Sequence, residues 1–388
     1  MNSRHLLNVA HFDKLFEALQ RRGYEIIGPR VRDQAIIYAT LQSSADLPVG
    51  WTDQQSAGHY RLERSPTPLG KRAFFNYVVG PHTWKQYLFP AHETLWRVRR
   101  DGDGFRSEEI VEPTPKRAFI GIRSCELHAI AIQDRVFIGD HTDPRYAARR
   151  ENIFTIAVNC TVAGGNCFCV SMNTGPRATE KFDLALTELL DDDCHDFLFE
   201  VGSELGAEIL AELTLTPATE IDREEADALM TATAAMMGRE MDTHDIKTLL
   251  YENAEHPRWE EVAQRCVSCG NCTAVCPTCF CSDVADITSL DGEHTQRERH
   301  WASCFTQDFT HVAGPNSGES TRVTTASRYR HWLTHKLAGW IDQFDVSGCV
   351  GCGRCITWCP PGIDLTEEVA AIRQTSNGAG NNATEIKS

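Results

Sequence analysis

Two stretches of the chain carry the same arrangement of sulfur. CVSCGNCTAVCP begins at Cys266 and CVGCGRCITWCP at Cys349, and they agree at seven of twelve positions, four of them cysteine. Cys266, Cys269, Cys272 and Cys276-Pro277 spell C-x2-C-x2-C-x3-C-P, and Cys349, Cys352, Cys355 and Cys359-Pro360 spell it again. Three thiolates two residues apart on a tight loop can wrap one iron–sulfur cubane. The fourth, one turn further on, points away and reaches the other cluster. The repeat therefore predicts two 4Fe–4S clusters, one held by Cys266, Cys269, Cys272 and Cys359, the other by Cys349, Cys352, Cys355 and Cys276. Gly270 and Gly353 sit inside the loops, where a missing Cβ lets backbone approach inorganic sulfide. The bland alternative is a zinc-stabilised binding module. Zinc ribbons separate their CxxC pairs by about 15–20 residues, and a run of four cysteines this dense does not suit one tetrahedral ion. Such clusters pass single electrons and bind no substrate, so the expected role is a wire with no catalytic residue of its own.

The other cysteines are less easily read. Cys125, Cys160, Cys167 and Cys169 stand in GIRSCELHA and AVNCTVAGGNCFCV. The first two follow strand-like runs and so fall at strand ends on one edge of a sheet. Gly164 and Gly165 allow the loop to fold back. Four thiolates with a CxC pair fit a third cluster or a tetrahedral metal, or equally four small buried apolar side chains. Cys279, Cys281 and Cys304 extend the first motif but have no counterpart after the second. They can shield a cluster, replace a ligand or bind something else. Cys194 is alone and reads as structural.

The 388 residues around these thiols divide by where sulfur occurs: none before Cys125, eleven between 266 and 359. Residues 1–221 read as a mixed α/β domain, of α+β or α/β class. YEIIGPRV, QAIIYATL, RAFIGIR and NIFTIAVNC have strand length and strand composition, and HFDKLFEALQRR and CELHAIAIQDRVF read as helices. Residues 48–70 read as a loop, 222–262 as a helical connector, and 263–365 as a ferredoxin-like two-cluster domain with an insert. In that insert Trp332, Leu333, Leu337, Trp340 and Ile341 share one helical stripe and are expected in the core. The segment 366–388 reads as a disordered tail.

At these motifs the chain resembles the β (iron–sulfur) subunit of soluble sulfhydrogenase-type nickel–iron hydrogenases. It is also similar to the related iron–sulfur subunit of anaerobic sulfite reductase. The residues carrying the likeness are CVSCGNCTAVCPTCFC, WASC, HK and CVGCGRCITWCP, together with GIRSCELHAIAIQDRVF and CFCVSMNTGP, covering roughly 115–365. The resemblance implies a subunit relaying electrons between a flavoprotein that exchanges hydride with NAD(P)H and the small and large hydrogenase subunits. In the sulfite or sulfur reductase alternative, a siroheme-bearing partner replaces them. It also implies a third 4Fe–4S cluster, for which Cys125, Cys160, Cys167 and Cys169 are the candidates. Arg330, His335 and Lys336 fit the family too, but on the sequence alone they read as a solvated basic face without a role.

Composition narrows the partners. A net charge of −16 argues against nucleic acid, whose affinity rests on Lys and Arg neutralising phosphates. No apolar run approaches the ~20 residues of a membrane span, and MNSRHLLNVAHFDKLF lacks a signal-peptide apolar core, so a cytoplasmic location is expected. In a reducing compartment clustered cysteines read as metal ligands rather than disulfides. GDGFRSE at 102–108 begins as a dinucleotide fingerprint and fails at the third glycine, so flavin and nicotinamide are assigned to a partner.

Overall fold

The structure, a computed structural model, describes residues 4–110, 113–312 and 319–384. Fourteen strands matter for the sites: β1 (Arg4–Asn8), β2 (Glu25–Arg32), β3 (Ala35–Thr40), β4 (Trp51–Ser56), β5 (His59–Arg64), β6 (His92–Asp101), β7 (Gly104–Glu109), β8 (Arg117–Ile122), β9 (Ile153–Val158), β10 (Leu184–Leu190), β11 (His195–Val201), β12 (Thr216–Pro217), β13 (Ser282–Thr288) and β14 (His294–Trp301). Eight of them form one sheet in the order β12-β1-β11-β10-β9-β8-β2-β3. Its centre is parallel: β2 with β8, β8 with β9, β9 with β10. RAFIGI and IFTIAV are buried along nearly their whole length, the signature of parallel strands covered on both faces. One cover is the helix Asp13–Arg21, which turns Leu15, Phe16, Ala18 and Leu19 inward and leaves Lys14, Glu17 and Gln20 outside. The other is Ser124–Phe137, which starts immediately after β8.

The segment expected as a loop at 48–70 is instead the hairpin β4–β5, closed by Gly58 at φ +71°. Its strand signal was hidden because WTDQQS and HYRLER are polar and only half-buried. A Cβ on Gly58 would stand 2.9 Å from the Cys359 carbonyl oxygen, so the hairpin tip is pressed on the second motif.

Three helices, Glu220–Ala235, Ile246–Glu252 and Arg258–Arg265, lead into the first motif. The helical stripe of the insert is largely buried at Trp332, Leu333, Leu337 and Trp340, in one apolar cluster with Trp259, Phe305 and Ile356 or in its neighbour. The Cys-rich half is not walled off from the rest. β14 pairs with β6, so strands from 92–109 and 282–301 make one four-stranded sheet in the order β13-β14-β6-β7. The chain after Leu365 does not begin as a disordered tail. A helix runs Leu365–Thr384, and Leu365, Val369 and Ile372 at i, i+4 and i+7 are buried in the same core as the insert. The Gly/Asn-rich composition after Gln374 masked that apolar spacing. Among the described residues no helix is long and apolar enough to cross a membrane.

Candidate metal centres

The sixteen cysteines are all unbridged, and fifteen of them gather in one connected region. The first motif opens on Cys266, the end of helix Arg258–Arg265, and turns through two left-handed residues, Ser268 at φ +52° and Gly270 at φ +76°. The second repeats that path with Gly351 at +65° and Gly353 at +73°. Cys266, Cys269, Cys272 and Cys359 line one small apolar cavity of about 30 Å³, together with Cys355. Burial and the neighbouring thiols Cys359, Cys266 and Cys269 push the Cys272 thiol well up. The Cys349 thiol is pushed up to about 12 by burial, with Lys336 opposing. Cys355 is raised by burial and by Cys349, Cys276 and Cys352. Cys266, Cys269 and Cys359 are thus the foremost thiol neighbours of Cys272, and Cys349, Cys276 and Cys352 those of Cys355.

The same surroundings suit iron–sulfur clusters. Tyr329 Oη and Trp332 Nε1 lie on the cavity beside the first set, are buried, and have no hydrogen-bond partner among the described residues. Buried donors are nearly always satisfied, and inorganic sulfide or cysteinyl sulfur is an acceptor they could serve. Arg354 Nη1 is likewise buried and unpartnered, and burial of the Cys352 thiol is offset by Arg354. Among the described residues, no three side chains of His, Cys, Asp or Glu gather as the ligand set of a single metal ion.

The sheet delivers the third set. β8 and β9 are parallel neighbours. Cys125 is the second residue of the helix after β8, and Cys160 lies two residues past β9, so both stand at the carboxyl ends of adjacent strands. A turn closed by Cys167 N–H to the Gly164 carbonyl (3.0 Å) brings Cys167 and Cys169 back over them. Burial pushes Cys167 up to about 12, with Cys160 and Cys352 adding to it. Burial also raises Cys125 well above its ordinary value, Cys352 being the largest thiol influence. The connector seals this set: Arg239 donates from its backbone to the Cys167 carbonyl (3.0 Å), and Met237 Sδ lies 3.8 Å from Cys169 Sγ.

Several residues that the sequence gave no reason to single out hold these sets in place. Arg354, inside the second motif, is buried and ion-paired to Glu126 of the helix carrying Cys125, and its Nε donates to the Gly80 carbonyl at 2.9 Å. Tyr38 Oη (2.8 Å) and Trp84 Nε1 (2.9 Å) also donate to Glu126, so the buried carboxylate is well supplied. Arg123 Nη1 reaches Cys160 Sγ at 3.9 Å. Lys336 is not part of a solvated basic face. It is buried, with Nζ 3.2 Å from Cys276 Sγ and 3.0 Å from Thr278 Oγ1. A five-residue π-helical widening at His335–Gly339 turns that side chain inward, the kind of bulge often found at functional sites. A basic residue next to histidine gives no warning of this in a helical-wheel reading. Cys194 lies exposed in the turn between β10 and β11 and packs in no core.

A mixed α/β domain joined to a twice-read C-x2-C-x2-C-x3-C-P fold defines a two-cluster ferredoxin-like protein, and residues 265–363 match the family model for the 4Fe-4S dicluster domain. The chain belongs to the sulfhydrogenase β-subunit family. It is 30% identical over 298 residues to sulfhydrogenase 2 subunit beta of Pyrococcus furiosus, a match spanning 75% of this chain and 82% of that relative. It is thus an iron–sulfur electron-transfer subunit of sulfhydrogenase type. No solved structure matches it.

Proposed function

We propose that this subunit carries electrons along three 4Fe–4S clusters set in a row: Cys266, Cys269, Cys272 and Cys359 at one end, Cys349, Cys352, Cys355 and Cys276 in the middle, and Cys125, Cys160, Cys167 and Cys169 at the other end. Clusters held there would accept and release one electron at a time. The observation that carries the reading is the order of the thiols. Cys352 acts on Cys125, Cys167 and Cys169, while Cys276 acts on Cys272 from the other side. The thiols of the middle set are therefore felt electrostatically by those on either side, which supports the order.

The protein's own groups hold sulfur, exclude water and supply positive charge. Gly351 and Gly353 admit the 166–169 loop against the middle set, where a Cβ at either position would meet its backbone. Lys336 and Arg354 place buried cations beside it. At the ends of the row we infer a flavoprotein that reacts with NAD(P)H and the small and large subunits of a nickel–iron hydrogenase, in a cytoplasmic complex. The relative's name, a sulfhydrogenase subunit, supports this set of partners over a siroheme reductase.

The experiment is iron and acid-labile sulfide per chain on the anaerobically purified complex, with EPR of the reduced protein. Replacing Cys125 and Cys169 by serine should remove about four irons and abolish spin coupling to the middle cluster, with the other signals kept. Unchanged iron in that variant overturns the third site. A complex that carries siroheme and no nickel overturns the partner assignment while leaving the row intact.

A further inference from the structure

The helix that leads to Lys336 has a second face that the clusters do not use. It runs Thr325–Thr334 and continues into the widened turn His335–Gly339. Ala326, Tyr329, Trp332 and Leu333 pack into the core. Ser327, Arg330, His331 and Thr334 recur at i, i+3, i+4 and i+7 and so share the other face. That face walls a cavity of about 460 Å³, which Arg322 joins from the segment before the helix and Tyr251 from the helix Ile246–Glu252. The π-helical widening turns Lys336 away toward Cys276 but leaves His335 on this cavity.

The cavity is supplied with donors and short of acceptors. No carboxylate lines it, in a chain whose net charge is −16. Among the described residues Arg322 pairs with no carboxylate, and the buried atoms Arg322 Nε and Thr334 Oγ1 have no hydrogen-bond partner. Arg330 has one, Glu255 at 3.0 Å, but that carboxylate is 92% exposed and the pair is screened by water. His331 and His335 stack with ring centroids 5.7 Å apart, and among the described residues neither ring has a hydrogen-bond partner. Burial lowers both imidazoles, with Arg322 the foremost charge acting on His331. At neutral pH each is therefore uncharged and offers one N–H. A merely solvated basic face would keep such donors in water, whereas unpaired buried ones are costly. Two guanidinium groups, two imidazole N–H groups and a hydroxyl around one hollow match an oxyanion with several acceptor oxygens and more than one charge.

We propose that this cavity binds a phosphate-class dianion, with Arg322 and Arg330 as its charge partners and Thr334, His331 and His335 as neutral donors. Free phosphate and the phosphate group of a larger monoester share this chemistry. His331 and His335 also line the cavity of about 660 Å³ that Cys279, Cys281 and Cys304 face. The anion and that sulfur-rich region thus have a wall of two rings in common and no ligand.

The test uses the full complex in buffer free of phosphate and sulfate. Inorganic phosphate is added in one arm and adenosine monophosphate in the other, and hydrogen–deuterium exchange is read by mass spectrometry. Exchange over 319–335 should slow with rising anion and saturate. Arg322→Gln removes a charge that holds no ion pair in the fold, and should raise the half-saturating concentration roughly ten- to a hundredfold. Thr334→Val keeps the side-chain shape and removes only an unpartnered hydroxyl. It should raise that concentration roughly three- to tenfold while leaving stability unharmed, and it keeps the test decisive should Arg322→Gln disturb the fold. Equal protection by both probes assigns the site to the free anion, and protection at much lower monoester concentration assigns it to a larger ligand. Wild-type exchange that neither probe slows, or protection that both variants retain at the wild-type concentration, overturns the proposal.

Discussion

The two copies of the motif have the same sulfur spacing and opposite surroundings. In the first, Val267 is 64% exposed and Cys269 is at the surface. In the second, Val350 is 2% exposed and packs with Cys125 and Cys169. Position by position the differing residues follow this. Ser268 stands where its counterpart Gly351 is pressed on the 168–169 backbone. Asn271 donates weakly to the Trp358 carbonyl (3.3 Å) where Arg354 reaches across to Glu126. Cysteine spacing thus specifies a cluster, whereas the residues between the cysteines specify whether it meets a partner or another cluster.

The sharpest way to break that contrast is to exchange the residues. A Cβ on Gly351 would stand 2.6 Å from the Phe168 carbonyl carbon and 2.7 Å from Cys169 Cα. That is backbone and cannot rotate away. Gly351→Ser is therefore expected to cost roughly 3 kcal/mol or more, and to strip iron from the Cys125 set first. The reciprocal Ser268→Gly relieves a left-handed non-glycine residue while freeing the unfolded chain. It should change stability by less than about 1 kcal/mol. Denaturant unfolding of the reconstituted proteins, with iron counted at each step, checks both.

Charge is the next lever. The middle set has Lys336 and Arg354 among the influences on its thiols, whereas the leading influences on Cys272 after burial are other cysteines. The middle cluster should therefore have the higher reduction potential of the two. Lys336→Met keeps the stem and removes one buried charge. A unit charge about 5 Å away at an effective dielectric near 20 is worth about 3 kcal/mol, so the middle potential should fall by on the order of 100 mV, with the first cluster shifted much less. Redox titration followed by EPR reads each separately. Equal shifts in both would dissolve the distinction.

Removing the metal gives a pH signature. Burial holds the Cys349 and Cys167 thiols up at about 12 in the metal-free fold, against about 8.5 when unfolded. A raised thiol stabilises the fold below its unfolded value, and that stability is lost as pH climbs toward the folded value. The chain stripped of iron should unfold more readily from about pH 8.5 upward, and iron uptake, which needs thiolates, should release protons and strengthen over the same range. Metal-free stability that stayed flat from pH 7 to 10 would contradict this burial.

How much of this could be read from sequence depended on whether the signal was local. The two-cluster domain could be read because the spacing of its cysteines is fixed within short loops. The placement of Cys125 and Cys160 was readable too, since each follows a strand of its own and parallel neighbours bring those ends together. What stayed hidden were long-range pairings: β14 on β6, Arg354 with Glu126, Lys336 with Cys276. Each joins residues at least sixty positions apart in sequence, where periodicity says nothing. The apolar start of the last helix was missed because its three buried residues run into a polar, glycine-rich stretch.

The mildest perturbation isolates the surface role of the first copy. Val267 and Val350 fill the same slot of the motif, so truncating each to alanine removes the same atoms. At Val350 the loss opens a space between two thiol sets and should cost about 1–2 kcal/mol. At Val267 the side chain is mostly in water, and stability should move by less than about 0.5 kcal/mol. Any larger consequence of Val267→Ala must come from outside the chain. If the first copy is where electrons cross to a partner, Val267→Ala should slow intersubunit electron transfer about two- to fivefold, since one methyl-bearing contact at an interface is worth roughly 0.5–1 kcal/mol, while leaving both cluster potentials in place. Stopped-flow reduction of the assembled complex measures that rate. A slowing seen only with Val350→Ala would place the slow step inside the row, between the middle and third sets, and not at the surface of the first copy.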